Sequence, residues 1–119
     1  ELCFKYGFEV CLIKAIIRVE SAFNSKAVSP DNKSFGLMQL TKGTAKKFGV
    51  KNVYDPYENI HGGIKYLDYL RRLFKKDVVK ILAAYNLGER RVLGKTIPPQ
   101  GLEYAKLVLH CKTKYEKRN

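Results

Sequence analysis

An apolar stripe at helical spacing within residues 9–22 limits the fold of this chain more than any other feature. The stripe consists of Leu12, Ile13, Ile16, Ile17 and Val19. A spacing near 3.6 residues is that of one face of an α-helix packed against a hydrophobic core. The sequence therefore predicts a buried helix near its beginning, and the remaining segments must supply the surfaces that cover it.

Helical signals also dominate the rest of the chain. Gly7 and Gly49 mark the ends of short helices, because glycine commonly closes a helix C-terminus. Further helices are predicted over 55–74 and 77–86, as a short turn up to Leu93, and from Pro98-Pro99 onward. Residues 24–35 have the composition of a loop with room for a small hairpin. We expect one mainly α domain over residues 1–119, with about six to eight short helices, at most a minimal hairpin, and a basic C-terminal tail at 110–119.

Glu20 continues the apolar stripe at the C-terminal end of its helix. It stands seven residues after Ile13 and four after Ile16, on the same helical face. Partial burial raises the pKa of a carboxyl group, and the negative end of the helix acts in the same direction. A carboxylic acid protonated near neutral pH can donate its proton to a leaving oxygen. From periodicity alone, the alternative is a glutamate that faces water at a helix end.

Several short motifs accompany Glu20 in a fixed order. They are Glu20-Ser21-Ala22-Phe23-Asn24, Ala27-Val28-Ser29-Pro30, Gly36-Leu37-Met38-Gln39, Thr44-Ala45, Asp55-Pro56 with Asn59-Ile60, Gly62-Gly63, Ala83-Ala84-Tyr85-Asn86, a Pro-Pro pair and Tyr104. This series, over roughly residues 5–109, closely resembles the catalytic domain of the soluble lytic transglycosylase (SLT) family. The resemblance implies a goose-type-lysozyme-like fold and cleavage of the peptidoglycan of bacterial cell walls.

The resemblance also implies roles for individual residues. Glu20 of the Glu-Ser motif is expected to act as the catalytic acid and then as the base. Around it, the resemblance implies a set of substrate-binding side chains: Ser29, Met38, Gln39, Tyr85, Asn86 and Tyr104. In particular, it implies that the Tyr104 hydroxyl points toward the site.

Four of these residues also have a purely structural interpretation. Met38 can belong to the core, and Ser29 before Pro30 can serve only the chemistry of a turn. Tyr85 can be a core tyrosine whose hydroxyl is hydrogen-bonded, and Asn86 can cap its helix. The sequence alone leaves these alternatives open.

The chain departs from the family pattern at three places. Leu40-Thr41 stands where many relatives carry two apolar residues. Leu87-Gly88-Glu89-Arg90 replaces a usual Ala-Gly-Pro-Gly, and Gln100-Gly101-Leu102-Glu103 replaces the segment that usually carries Glu-Thr-Arg. We therefore expect the walls of the glycan groove to differ from those of the family, while the acid is retained.

A second carboxylate with comparable placement is not evident. Asp31 lies in the polar loop, and Asp55 before Pro56 is expected to cap a helix. Most glycosidases need two carboxylates, but substrate-assisted families use the N-acetyl carbonyl of the sugar instead. The resemblance thus implies non-hydrolytic cleavage of the β-1,4 bond between N-acetylmuramic acid (MurNAc) and N-acetylglucosamine (GlcNAc), with a 1,6-anhydro-MurNAc product.

Three alternative functions remain to be weighed. A lysozyme-type hydrolase on the same fold would need a positioned water, with Asp31 or Asp55 as helper. A basic helix-turn-helix could begin at residues 44–50, but a loop and Pro56 follow in place of a recognition helix. We therefore expect no nucleic acid partner. A catalytically inactive glycan-binding relative is disfavoured by the retained Glu20.

Charge and cysteine content bear on partners, cofactors and location. The formal net charge of +12 favours anionic partners, among them peptidoglycan strands with stem-peptide carboxylates. Cys3, Cys11 and Cys111 do not have the spacing of a metal site, so neither metal nor cofactor is expected; one bridge between the chain ends or three thiols are both compatible. No apolar run reaches the ~18 residues of a membrane span, and no signal peptide is visible. We expect a monomer in the periplasm or cell envelope, with a secretion-system, pilus or flagellar assembly as a candidate partner.

Overall fold

Helices and one small hairpin make up the computed structural model, which describes residues 1–118. The elements are α1 (Leu2–Tyr6), α2 (Val10–Ser21), β1 (Ser34–Phe35), β2 (Leu40–Thr41), α3 (Lys42–Lys47), α4 (Pro56–Phe74), α5 (Val78–Leu87) and α6 (Pro99–Lys117). A single 3-10 turn at Glu89–Arg91 follows α5. The mainly α architecture with a minimal hairpin confirms the sequence prediction, and α4 matches the helix predicted over 55–74, whereas α6, at 19 residues, continues into the segment predicted as a tail.

Local capping explains where several of the helices begin or end. The Asp55 carboxylate accepts a hydrogen bond from the Glu58 backbone N–H at 2.9 Å, and Pro56 occupies the first turn of α4. Asp77 caps α5 in the same way through the Lys80 N–H at 3.1 Å. Gly7 ends α1 in the left-handed conformation with φ of 73°. These starts and stops were predicted from the sequence and are confirmed.

The predicted apolar stripe lies at the centre of the core. Ile13, Ile16 and Ile17 of α2 are buried, and α6 packs along α2 and also against α5. The two helices α2 and α6 run in opposite directions, because Glu20 meets Tyr104 at one end and Glu9 meets Lys112 at the other.

Gly101 lets the first turn of α6 approach α5 closely. A Cβ at this position would lie 2.9 Å from both Ala83 Cβ and Leu87 Cδ1. That distance is too short for ordinary packing. The departure from the family pattern at Gln100–Glu103 therefore has a packing consequence at the junction of α5 and α6.

The basic segment predicted as a tail at 110–119 is helical as far as Lys117. It forms the last turns of α6, where Lys112 contacts Glu9 at 3.2 Å and Glu116 at 3.4 Å. The i,i+4 spacing of Lys112 and Glu116 supports the helix locally, and the contact with Glu9 ties it to α2. Asn119, the last residue of the predicted tail, lies outside the described residues.

The loop between α2 and α3 carries the hairpin. Ser34 pairs with Thr41 and Phe35 with Leu40, and an isolated bridge joins Val28 to Phe35. The connecting turn has two residues in the left-handed region, Gly36 with φ of 79° and Gln39 with φ of 53°. A non-glycine residue in this conformation is held there by its surroundings.

Asn59 on α4 provides much of that support and is fully buried. Its Oδ1 accepts a hydrogen bond from the Met38 N–H at 2.8 Å. Its Nδ2 donates to the carbonyl oxygens of Phe35 at 3.0 Å and Val53 at 2.7 Å. One side chain thus fixes both the hairpin and the loop before α4, because each of these buried backbone groups needs a partner.

Two further observations concern the membrane and the thiols. Within residues 1–118, every helix is too short or too polar to cross a bilayer. Cys3 and Cys111, at the two ends of the chain, are half-buried free thiols.

Candidate active site

A cleft of about 260 Å³ opens beside the C-terminal end of α2. Its lining comes from α2, the hairpin, α3, α4 and the end of α5: Glu20, Ser34, Gln39, Leu40, Thr41, Thr44, Tyr66, Tyr85, Asn86, Leu87 and Gly88. We call the side formed by Glu20, Tyr66, Tyr85 and Asn86 the helical wall. The side formed by Ser34, Gln39, Leu40 and Thr41 is the loop wall.

Glu20 is the acidic group of this cleft. Burial raises the pKa of its carboxyl group from 4.5 to about 7, because the charged form loses hydration. The Tyr104 hydroxyl donates a hydrogen bond of 2.8 Å to Glu20 Oε2 and acts in the opposite direction, as the smaller effect. Glu20 therefore exchanges its proton near neutral pH, which a group that donates and later accepts a proton requires.

Tyr104 and Tyr85 flank the carboxyl group as buried phenols. Burial, followed by the nearby Glu20 charge, raises the pKa of both hydroxyls well above the ordinary value. Both therefore stay protonated and act as hydrogen-bond donors. Tyr104 donates to Glu20, as the resemblance implied, whereas Tyr85 donates to the Met38 carbonyl oxygen at 2.7 Å.

Gln39 and Asn86 both line the cleft, but their side-chain amides have different surroundings. The Gln39 amide is committed to the loop: its Nε2 donates to the carbonyl oxygens of Gly36 at 3.0 Å and Ala27 at 3.2 Å. Asn86 is exposed at the end of α5 and lines the cleft. Of the two side-chain amides, that of Asn86 is the more exposed, whereas the Nε2 of Gln39 is engaged by the loop.

The structure places Met38 in the core. Its side chain is fully buried, and a Cβ on Gly63 of α4 would overlap its sulfur. Its backbone links the two walls, because the N–H binds Asn59 and the carbonyl oxygen accepts from Tyr85. The Met38 side chain therefore does not line the cleft, where a substrate contact was expected.

Ser29 lies outside the residues that line the cleft. Its hydroxyl donates to Asp31 Oδ1 at 2.6 Å and accepts from the N–H groups of Lys33 at 3.2 Å and Ser34 at 3.0 Å. These bonds close the turn that precedes β1. Ser34, at the end of that turn, is the serine that lines the cleft.

The two other carboxylates considered in the sequence occupy structural positions. Asp31 is fully exposed, and the hydrogen bond from Ser29 is the largest of the effects that lower the pKa of its carboxyl group. Asp55 caps α4. Among residues 1–118, Glu20 is the one carboxylate that lines the cleft.

Several residues of the site were given no functional role in the sequence analysis, among them Thr44, Tyr66 and Asn59. Thr44 and Tyr66 line the cleft, and burial raises the pKa of the Tyr66 hydroxyl to about 12. The Tyr66 ring lies 5.3 Å from that of Tyr85, centroid to centroid. Asn59 positions the loop wall from behind. Asn59 belongs to the Asn59-Ile60 motif that follows Asp55-Pro56, and that motif was the available signal for it.

Thr41, where the sequence leaves the family pattern, has a structural explanation. Its hydroxyl accepts a hydrogen bond from the Thr44 N–H at 3.2 Å and so caps α3. It also lines the cleft. The apolar residue of many relatives is thus replaced here by a helix cap that adds a hydroxyl to the loop wall.

Sequence comparison agrees with this geometry. Residues 3–106 match the family described as Transglycosylase SLT domain. The chain is 40% identical over 83 residues to the membrane-bound lytic murein transglycosylase F of Pseudoalteromonas translucida, covering 65% of this chain and 17% of that protein. It is 35% identical over 107 residues to the membrane-bound lytic murein transglycosylase C of Photorhabdus laumondii, covering 75% of this chain and 30% of that protein. The chain thus spans less than a third of these relatives.

Solved structures are similar over nearly the whole chain. The lytic transglycosylase Slt of Pseudomonas aeruginosa, solved as an inactive glutamate-to-glutamine mutant, has a TM-score of 0.83 at 30% identity and covers 98% of this chain and 23% of that one. The 70 kDa soluble lytic transglycosylase of Escherichia coli has a TM-score of 0.79 at 32% identity, with 98% and 24% covered.

Proposed function

The chain belongs to the transglycosylase SLT domain family, and from this we propose that it is a peptidoglycan lytic transglycosylase. It would cleave the β-1,4 bond between MurNAc and GlcNAc without water and leave a 1,6-anhydro-MurNAc end. The observation that carries the proposal is Glu20, which is alone among the carboxylates of residues 1–118 in lining the cleft and has a pKa of about 7.

In the first step Glu20 acts as an acid. With a pKa of about 7, roughly half of the molecules carry the protonated form at neutral pH. The proton passes to the glycosidic oxygen, and the bond from that oxygen to C1 of MurNAc breaks. The carbonyl oxygen of the N-acetyl group bonds to C1 and takes the place of a second carboxylate.

In the second step Glu20 acts as a base. Its carboxylate removes the proton from the C6 hydroxyl of the same sugar, whose oxygen bonds to C1 and displaces the acetamido oxygen. Glu20 is thereby protonated again and ready for the next bond. Because the attack is intramolecular, proximity supplies much of the rate and no water is consumed.

The neighbouring side chains are proposed to orient the carboxyl group and the sugar. Tyr104 supports this view by donating to Glu20 Oε2 at 2.8 Å, and Glu20 itself lines the cleft. Asn86 offers an exposed amide that matches the acetamido group. Gln39 contributes the backbone and stem of the loop wall, and Met38 and Ser29 are proposed to act indirectly, by fixing that wall.

Location and partners follow as further parts of the proposal. The named relatives are membrane-bound murein transglycosylases, which favours the cell envelope and, more finely, the periplasm for this domain. Peptidoglycan strands would be its substrate, and the high positive charge supports adhesion to an anionic wall. A monomeric state and association with a secretion system, pilus or flagellum stay predictions.

The test uses purified peptidoglycan and mass spectrometry of the released fragments. The unaltered protein is expected to release anhydro-muropeptides, which are one water lighter than hydrolysed ones. Glu20→Gln is expected to reduce release by roughly 10³-fold or more, since it removes both proton transfers. The matched control is Glu103→Gln, a glutamate that is 78% exposed on α6. Retained turnover in Glu20→Gln would contradict the catalytic assignment, and hydrolysed products from the unaltered protein would support the lysozyme-type reaction instead.

A further inference from the structure

A second concavity lies between α2 and α6. This groove has a volume of about 540 Å³, larger than the cleft beside Glu20. Val19 and Cys111 are half-buried within it, and Leu107 is 55% exposed. The groove therefore offers apolar surface to solvent in a part of the molecule that the proposed reaction does not use.

The groove is also strongly basic. Arg18 of α2 and Lys114 of α6 line it, together with Arg118 at the end of α6. Within residues 1–118, none of these three cations takes part in an ion pair, and the acids nearby, Glu9 and Glu116, are both held by Lys112. Uncompensated guanidinium and ammonium groups are available to bind anions from outside.

Two cationic side chains lie near the ring of Tyr115 at one end of the groove. The Arg118 guanidinium lies 5.4 Å from the centre of its ring, and Lys14 Nζ lies 5.9 Å from it. Contact with an aromatic face restrains these long side chains before any ligand arrives. These side chains therefore lose less conformational entropy on binding a ligand than unrestrained side chains would.

The groove and the cleft lie on different sides of α2. Arg18 and Glu20 are two positions apart, which corresponds to about 200° around the helix axis. Among the described residues, no side chain lines both concavities. A ligand in the groove can therefore bind while a glycan strand occupies the cleft.

We propose that this groove is a docking site for an acidic, amphipathic segment of a partner protein. Aspartate or glutamate side chains of that segment would pair with Arg18, Lys114 and Arg118. Its apolar side chains would cover Leu107 and the surface formed by Val19 and Cys111. This mode, in which one apolar face and one charged face are recognised together, is common for helical segments bound in grooves.

The apolar component distinguishes this occupant from a phosphate polymer or a nucleic acid. Such polymers bind mainly through their charges and gain little from an exposed leucine among the cations. Leu107, more than half exposed, forms with Val19 and Cys111 an apolar surface among the cations of the groove, which the apolar side chains of a protein segment can cover. The proposal is independent of the reaction assigned to Glu20.

The test measures binding of a designed probe by fluorescence anisotropy. The probe is a labelled 16-residue helical peptide with glutamate on one face and leucine on the other, and polyphosphate of equal charge serves as the competing ligand. Arg18→Glu combined with Lys114→Glu is expected to weaken peptide binding at least tenfold, and Leu107→Ser severalfold. Lys76→Glu combined with Lys80→Glu changes the net charge equally on exposed positions elsewhere and is expected to stay within twofold.

Each outcome decides for or against the docking site. Binding that is unchanged in the Arg18/Lys114 double variant, or unaffected by Leu107→Ser, would overturn it. Polyphosphate that binds more tightly than the peptide would assign the groove to a phosphate polymer. Peptidoglycan cleavage is expected to remain near the unaltered rate in the double variant, and a large loss would show that the groove holds substrate rather than a partner.

Discussion

The two walls of the cleft are held in place by different forces. The helical wall rests on apolar packing, with Ile16 of α2, Leu82 of α5 and Val108 of α6 fully buried behind it. Each such side chain contributes about 1.5–3 kcal/mol through burial. The loop wall also packs apolar side chains into the core, namely Leu37, Met38 and Leu40, but the course of its turn depends in addition on hydrogen bonds from Asn59 and Gln39.

The two walls are therefore expected to respond differently to the loss of a single contact. Packing is spread over many contacts, so the helical wall can lose one of them without changing its course. A buried hydrogen-bond network fails where a single member is removed, because its partners are then left unsatisfied. The loop wall is therefore expected to be the sensitive half of the site, although it carries no group that transfers a proton.

The largest expected effect on stability comes from Asn59→Ala. Three backbone groups, those of Met38, Phe35 and Val53, lose their partner together. With a cost of about 1–3 kcal/mol for each unsatisfied buried group, the free energy of unfolding should fall by about 4 kcal/mol. Denaturant unfolding measures this, and wall cleavage is expected to fall as well.

Asn86→Ala is the matched comparison on the helical wall. Asn86 is exposed, so the free energy of unfolding should stay within about 0.5 kcal/mol of the unaltered protein. Its effect should appear in wall cleavage alone. Equal losses of stability in the two variants would show that the walls are not held differently.

The next largest effect concerns Glu20 and has the opposite sign. A pKa raised from 4.5 to about 7 means that the folded protein binds this proton more tightly than the unfolded chain. Stability linked to Glu20 is thus fully present below pH 4.5 and is lost as the pH rises to about 7, by about 3 kcal/mol in total.

Glu20→Gln removes this loss, since glutamine does not ionise. The variant is expected to be about 3 kcal/mol more stable than the unaltered protein at pH 8, with the difference vanishing at pH 4. Thermal unfolding across this pH range measures it. A constant difference at every pH would contradict the burial assigned to the carboxyl group.

The smallest effect tests Tyr104. Its hydrogen bond lowers the pKa of Glu20, so Tyr104→Phe is expected to raise that pKa further. The alkaline limb of the kcat/KM profile should move to higher pH, with a loss of about tenfold at the optimum.

Ser29→Ala is the control for that prediction. It also removes one hydroxyl, but from the turn before β1. The pH profile is expected to stay in place, and stability should fall by only about 1 kcal/mol. A displaced profile in Ser29→Ala would return Ser29 to the role that the family resemblance implied.

Local signals predicted the helices well, and they predicted the carboxylate. Asp55-Pro56 and Asp77 mark helix starts through their own side chains, so neighbouring residues suffice to locate them. Glu20 could be found because a charge on an apolar helical stripe is conspicuous in sequence. The support of the loop wall was harder to predict from the sequence. Asn59 bonds to Met38 across 21 positions, and no local pattern indicates such a contact.

The directions in which side chains point were also difficult to predict from the sequence. The Gly-Leu-Met-Gln motif does not reveal which side chain faces the cleft, because Gln39 adopts a left-handed backbone that reverses the local direction. Met38 therefore points into the core, although it directly precedes a residue of the loop wall. The helical course of 110–117 was missed because its basic residues outnumber the apolar side chains that pack against the core, Cys111 and Tyr115.

Gly63 on α4 does not line the cleft, but it leaves space for the Met38 side chain behind the loop wall. The Met38 side chain lies where any Cβ at position 63 would lie, and the Met38 backbone leads directly into Gln39. A methyl group added at position 63 would therefore displace the Met38 side chain and disturb the packing behind the loop wall. The absence of a side chain at position 63 of α4 thus provides the space that Met38 fills, and substitutions at this position are expected to alter the loop wall and the fit of a ligand in the cleft.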